Sequence, residues 1–141
     1  MTKPKYFYTA KKINELRTEA QFYKLDAPKD FWQKTATELR KVCNGAGAES
    51  WSENKRKALT AAIKPYEACI AIHDVDYFYQ IGTRELSDKR LKRNMLKVWA
   101  KKYGFWRWLN RGARVERLIV IPGVYAAVAI GGQDAWEACG K

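Results

Sequence analysis

The 141 residues are 47% apolar and 13% aromatic, which is enough for one compact domain to bury a core without disulfide staples. Cys43, Cys69 and Cys139 are odd in number, widely spaced and form no CxxC pair, which argues against a disulfide framework and against a zinc or redox site; reduced thiols are expected. The net charge of +12 points to an acidic partner, namely anionic lipid, nucleic acid or another protein surface.

The N-terminal residues Met1 to Tyr8 are followed by Lys11-Lys12-Ile13-Asn14-Glu15 rather than an apolar run, so no signal peptide is expected and the chain reads as made in the cytoplasm. From Thr9 to Lys24, Ile13, Leu16, Ala20 and Tyr23 recur at helical spacing. Asp26-Ala27-Pro28 breaks that pattern, and Pro28 opens a second expected helix with Phe31, Thr35, Leu39 and Val42 on one stripe. It stops at Cys43-Asn44-Gly45-Ala46-Gly47, where alternating glycines allow a sharp loop.

Ser50 or Ser52 can cap a third helix to about Ile63. Pro65 fits the first turn of a fourth, running to Ile81 and closed by Gly82. A fifth, from about Leu86 to Lys102, turns Leu91, Met95 and Val98 inward and its lysines and arginines outward. Tyr103-Gly104-Phe105-Trp106-Arg107-Trp108 interrupts the pattern. From Val115 to Ala138 the composition is helical, but Pro122, Gly123, Gly131 and Gly132 predict two shorter helices or one kinked one. Its apolar run, Leu118 to Ile130, is 13 residues long, short of the roughly 20 that span a bilayer, and is expected in the core or at an interface. The reading is all-α.

His73 is the only histidine in the chain, and it lies in line with Tyr66, Cys69, Ile70 and Tyr77 on the face expected to turn inward. Asp88 precedes Leu91, Met95 and Val98 by three, seven and ten residues, which places a carboxylate on the inward stripe of the next helix. Burying either group alone costs on the order of 2 kcal/mol or more, so a hydrogen bond between them is the favourable arrangement. Such a pair is also the general-base pattern, in which the carboxylate orients the imidazole and stabilises its cation. Tyr77, one turn on, can donate to the same carboxylate. Asp74 points ~100° around the helix from His73, where it could ligate a metal at the cleft. A buried polar tie between two helices accounts for the same residues without chemistry.

These residues resemble the phospholipase A2 superfamily, in which a glycine-rich calcium loop precedes a helix bearing Cys-x-x-x-His-Asp-x-x-Tyr, and a second helix supplies an aspartate that supports the histidine. Cys43-Asn44-Gly45-Ala46-Gly47 is similar to the loop, Cys69 to Tyr77 to the first helix, and Ser87-Asp88 to the second. The nearest likeness is to the compact phospholipase A2-like group of parvovirus capsids and tailed bacteriophages. The resemblance implies a helical phospholipase A2-like domain over about 41–141 and leaves residues 1–40 unaccounted for; these read as an N-terminal helical extension of one compact unit. It implies calcium held by Asp74 and the carbonyls of Cys43, Gly45 and Gly47, with His73 as base, Asp88 as its support beside Tyr77, and the Gly45 N–H at the oxyanion. The implied activity is calcium-dependent hydrolysis of a phospholipid sn-2 ester by a phage-encoded protein at a host membrane. The alternative is a non-catalytic virion subunit that keeps the fold.

The segment from Arg84 to Arg117 holds twelve Lys and Arg against Glu85, Asp88 and Glu116, so it carries +9 of the +12. Lys89, Arg90, Lys92, Arg93, Lys97, Trp106, Arg107 and Trp108 are therefore the candidates for a membrane or anion surface, since aromatics beside cations suit a headgroup layer. A solvated basic face is the plain alternative. Virion subunits are a second possible partner; nucleic acid fits less well, because no recognition motif is visible.

Overall fold

The computed structural model describes residues 6–43, 52, 54 and 63–139. Among them the chain is mostly helical and has no strand. Helix α1 (Ala10–Phe22) starts where the Thr9 hydroxyl accepts from the Lys12 N–H at 3.1 Å, and it buries Ile13, Leu16 and Ala20. It ends as Lys24 takes φ +53°, which lets the Leu25 N–H reach back to the Ala20 carbonyl at 2.9 Å.

The single second helix expected from Pro28 is instead two, α2 (Lys29–Gln33) and α3 (Ala36–Val42). Thr35 does not join the inward stripe, because it caps α3. Its hydroxyl accepts from the Glu38 N–H at 3.1 Å, and Glu38 accepts from the Thr35 N–H at 2.9 Å. The break leaves carbonyls without helical donors, and Arg17 of α1 supplies them, donating to Phe31 O at 2.9 Å and to Lys34 O. The third expected helix, from Ser50 or Ser52 to about Ile63, lies almost wholly outside the described residues, as does the Gly45 and Gly47 loop.

A short 3-10 turn containing Pro65 leads into α4 (Glu67–Phe78), which ends three residues before the expected Ile81. The Ile81 N–H closes it onto the Asp76 carbonyl at 3.0 Å, with Gln80 at φ +48° and Gly82 at φ +68°. Ten of the twelve residues of α4 are buried, so it is the central helix around which the others pack. Helix α5 (Arg84–Tyr103) starts at the Thr83 cap and stops at Gly104, whose φ of +67° suits glycine. One apolar cluster joins Ile13, Leu16 and Leu39 to Ile72, Leu91, Met95 and Ile121, so the N-terminal helices share the core of the rest. Each such aliphatic side chain contributes about 1.5–3 kcal/mol on burial. The α1–α2 connection is held to α5 by Asn94, which donates to the Asp26 carbonyl at 2.8 Å and accepts from its N–H at 2.9 Å.

Asp76 is a charge inside this core. Arg90 of α5 meets it at 2.7 Å and also reaches Asp26 at 3.2 Å. Burial nevertheless pushes the Asp76 carboxyl up to about 7, Arg90 opposing and Asp26 adding. A carboxyl with a raised folded-state pKa binds more protons folded than unfolded, so its contribution to stability is fully present near pH 4 and is lost as pH rises through about 7. Denaturant unfolding between pH 4 and 8 should show this downward component in the native chain and not in Asp76→Asn; equal slopes in the two would refute it.

After a 3-10 turn at Arg107–Leu109, Asn110 caps a continuous helical run of α6 (Arg111–Val115), a wide π turn (Glu116–Val120) and α7 (Ile121–Cys139). The expected division or kink at Pro122 is absent. Pro122 is the second residue of α7, and the π turn just before it takes up the space and the missing N–H that proline imposes. Of the two places expected for Leu118 to Ile130, core or interface, the core takes only part of the run. Ile121 is buried, but Leu118, Ile119 and Ile130 are exposed, because only one side of the run faces α4 and α5.

Candidate active site

Helices α4 and α5 pack side by side, and their facing stripes bring together the three polar residues singled out in the sequence. His73 Nε2 lies 2.8 Å from Asp88 Oδ1, and the Tyr77 hydroxyl donates to the same oxygen at 2.6 Å. The His73 and Tyr77 rings are 4.3 Å apart between centroids. Arg84, one turn before Asp88 on α5, approaches its other oxygen at 3.4 Å. Three donors thus converge on one carboxylate that is 2% exposed. Because a carboxylate can only accept, Nε2 carries the imidazole proton and the basic lone pair sits on Nδ1. Burial and the bond to Asp88 push the Tyr77 hydroxyl pKa upward, so this side chain remains a donor throughout the ordinary pH range.

Helix α7 covers this cluster with residues that the sequence reading did not single out. Arg84 donates to the carbonyls of Val128 and Ala129 at 3.3 and 3.1 Å, so one guanidinium joins Asp88 to α7. Gln80 donates to the Trp136 carbonyl at 2.7 Å, and the Trp136 indole meets the Tyr77 ring edge to face at 5.2 Å. Gly132 is buried against Tyr77, and a Cβ there would stand 2.4 Å from the Tyr77 hydroxyl. The i, i+4 spacing of Arg84 and Asp88 was the available sequence signal for the first of these, and a glycine inside a helical pattern was that for Gly132. Trp136 had none.

Gly132→Ala should therefore be costly. The Tyr77 hydroxyl is held by Asp88 and its ring lies between His73 and Trp136, so either Tyr77 leaves Asp88 or α7 lifts. An overpacking loss of about 1–3 kcal/mol is expected in denaturant unfolding, and Ser should be tolerated no better than Ala. A variant as stable as the parent would show that α7 does not bear on Tyr77.

Asp74 is half-buried on α4 and its charge reaches Cys43 and Tyr8. Burial pushes the Cys43 thiol well up, Asp74 adding and Arg17 opposing, and the thiol donates to the Ala71 carbonyl at 3.6 Å. Cys43, the last described residue before the expected glycine loop, therefore lies within electrostatic reach of Asp74. The Tyr8 hydroxyl, also buried, has no hydrogen-bond partner among the described residues. A carboxylate and a phenol oxygen are the kinds of donor a hard cation takes. Among the described residues no group of three His, Cys, Asp or Glu side chains could hold a metal.

The basic candidates divide. Arg90 is committed to Asp76 and Asp26, and Arg93 lies 3.7 Å from Asp26. Lys89 pairs with Glu85 at 2.9 Å, Lys92 lies over the Tyr125 ring, and Lys97 donates to the Lys24 carbonyl. Arg107 donates to the Gly104 carbonyl and lies over the Trp99 ring. Trp106 is 67% exposed, while Trp108 leans on buried Trp99 with ring centroids 5.1 Å apart. A surface cleft beside Tyr23, Lys24, Lys97 and Lys101 is lined by none of the His73 cluster. Comparison with known protein families, curated proteins and solved structures finds no match to this chain.

Proposed function

We propose that the chain is a phospholipase A2-like hydrolase of a phospholipid sn-2 ester, in which α4 and α5 are the paired helices of the site. The observation that carries this reading is the single carboxylate of Asp88 accepting from both His73 and Tyr77. It leaves Nδ1 of His73 as the base. Asp74 and the carbonyls of Cys43, Gly45 and Gly47 would hold calcium, which when bound supplies Lewis-acid polarisation of the ester carbonyl.

His73 Nδ1 takes a proton from a water as its oxygen adds to the ester carbon, and Asp88 stabilises the imidazolium. The Gly45 N–H would meet the tetrahedral oxyanion, as the resemblance implies. Its collapse breaks the bond to the glycerol oxygen, which receives the proton from His73. Free fatty acid and lysophospholipid leave, and His73 is neutral again. A phage-encoded protein acting at a host membrane is the setting that the resemblance supports.

The second reading is a non-catalytic virion subunit in which the same residues tie α4 to α5. Its supporting observation is that His73 is only 8% exposed. Fatty-acid release from phosphatidylglycerol or phosphatidylethanolamine vesicles, with calcium and with chelator, decides between them. The hydrolase releases fatty acid only with calcium, and a folded chain that releases none in either condition is the subunit.

A further inference from the structure

Twelve large apolar side chains are exposed among the described residues, and seven of them fall between Phe105 and Ile119. Phe105, Trp106 and Leu109 are 83%, 67% and 72% exposed, and Leu118 and Ile119 exceed 60%. Arg114 ties the start of the terminal helix to the aromatic turn by donating to the Trp108 carbonyl at 3.1 Å. Arg107, Arg111, Arg114 and Arg117 fall in the same stretch, whose one acid, Glu116, is paired with Lys102 at 3.1 Å. An uncovered apolar patch with a positive rim marks a binding surface.

We propose that this patch docks on an anionic lipid surface, with Phe105, Trp106, Leu109, Leu118 and Ile119 entering the boundary of the acyl chains and Arg111, Arg114 and Arg117 meeting the phosphates. The proposal deepens the hydrolase reading and rests on it for lipid as the partner, although docking itself requires no turnover. A second copy of the chain fits less well, since a self-complementary contact would set arginines against arginines with no unpaired acid to meet them. Nucleic acid would use the arginines and the tryptophan, but exposed Leu109, Leu118 and Ile119 add nothing to it.

The run Arg111–Cys139 is long and apolar enough to cross a bilayer by length and composition, yet it lies on the bundle. Ile121 and Gly132 are buried against the fold, and the carbonyls of Val128 and Ala129 receive Arg84. Spanning would remove that guanidinium's partners beside Asp88, so the helix lies along the surface instead. This matches an interfacial segment that buries one face only.

The test is co-sedimentation of the full His73→Gln chain in chelator with vesicles of phosphatidylcholine alone or with added phosphatidylglycerol. Capture by the mixed vesicles should exceed that by phosphatidylcholine at least tenfold. It should fall about tenfold or more in Phe105→Ser/Ile119→Ser, and roughly fivefold for each of Arg111→Gln and Arg117→Gln. Phe105, Arg111 and Ile119 are exposed and Arg117 is half-buried, so an unchanged helical spectrum and melting temperature certify the variants. Capture unaffected by the apolar pair overturns the proposal. So does self-association, or single-stranded DNA binding, that depends on the same pair.

Turnover of a monomeric short-chain phospholipid by the unsubstituted chain separates the two ideas. Turnover without vesicle capture overturns the docking face and leaves the hydrolase. Capture without turnover upholds the face and overturns the hydrolase.

Discussion

Asp88→Ala is expected to lower the unfolding free energy by about 3–5 kcal/mol, the range for removing one partner from a buried charged pair. The substitution leaves the Nε2 proton of His73, the Tyr77 hydroxyl and the Arg84 guanidinium without their acceptor, in a place where water does not replace it. Arg84 then keeps only the carbonyls of Val128 and Ala129, so the loss should spread to the seating of α7. Asp88→Asn is the informative partner. Its amide oxygen still accepts from Tyr77, but its second atom is a donor facing donors, so its loss should fall between the parent and alanine. Urea unfolding of the three chains measures this, and an alanine variant within about 1 kcal/mol of the parent would mean that the cluster adds nothing to stability.

His73→Gln is expected to slow ester hydrolysis by orders of magnitude while leaving the fold nearly intact. A glutamine N–H can still donate toward Asp88, so denaturant unfolding should change by no more than about 1 kcal/mol, the scale of one hydrogen bond. The amide has no basic lone pair, and loss of general-base catalysis lowers the rate by about 10²–10⁴-fold. Unchanged hydrolysis in this variant would remove His73 from the chemistry. A large stability loss would instead make it chiefly a helix tie. The two readouts therefore report on different roles of the same ring.

Much of the helical plan was legible in the sequence. The spacing of Ile13, Leu16 and Ala20, and of Leu91, Met95 and Val98, marks the inward stripes of α1 and α5, and all six are buried. The meeting of His73, Tyr77 and Asp88 was legible for the same reason, since each lies on an apolar stripe whose neighbours must face the core. Where the reading departed from the structure, a side chain had two uses and the pattern showed only one. Thr35 fits an inward stripe by spacing, yet its hydroxyl gains more by capping α3, with Arg17 satisfying the carbonyls that the break exposes. Arg90 looks like part of a basic face, but Asp76 needs a cation inside the core.

The C-terminal run was the least legible segment. Its glycines and Pro122 predict interruption, and its apolar residues predict burial. Helical periodicity depends on contacts three and four residues apart, so the sequence by itself determined the all-α class, most helix stripes and the inward direction of His73 and Asp88. Which side of α7 is covered depends on contacts between segments more than forty residues apart, such as Arg84 with Val128 and Ala129 or Gln80 with Trp136. Only the tertiary structure decided that Gly132 closes on Tyr77 while Leu118 and Ile119 stay exposed, because a local apolar pattern does not specify which of its residues the rest of the chain will meet.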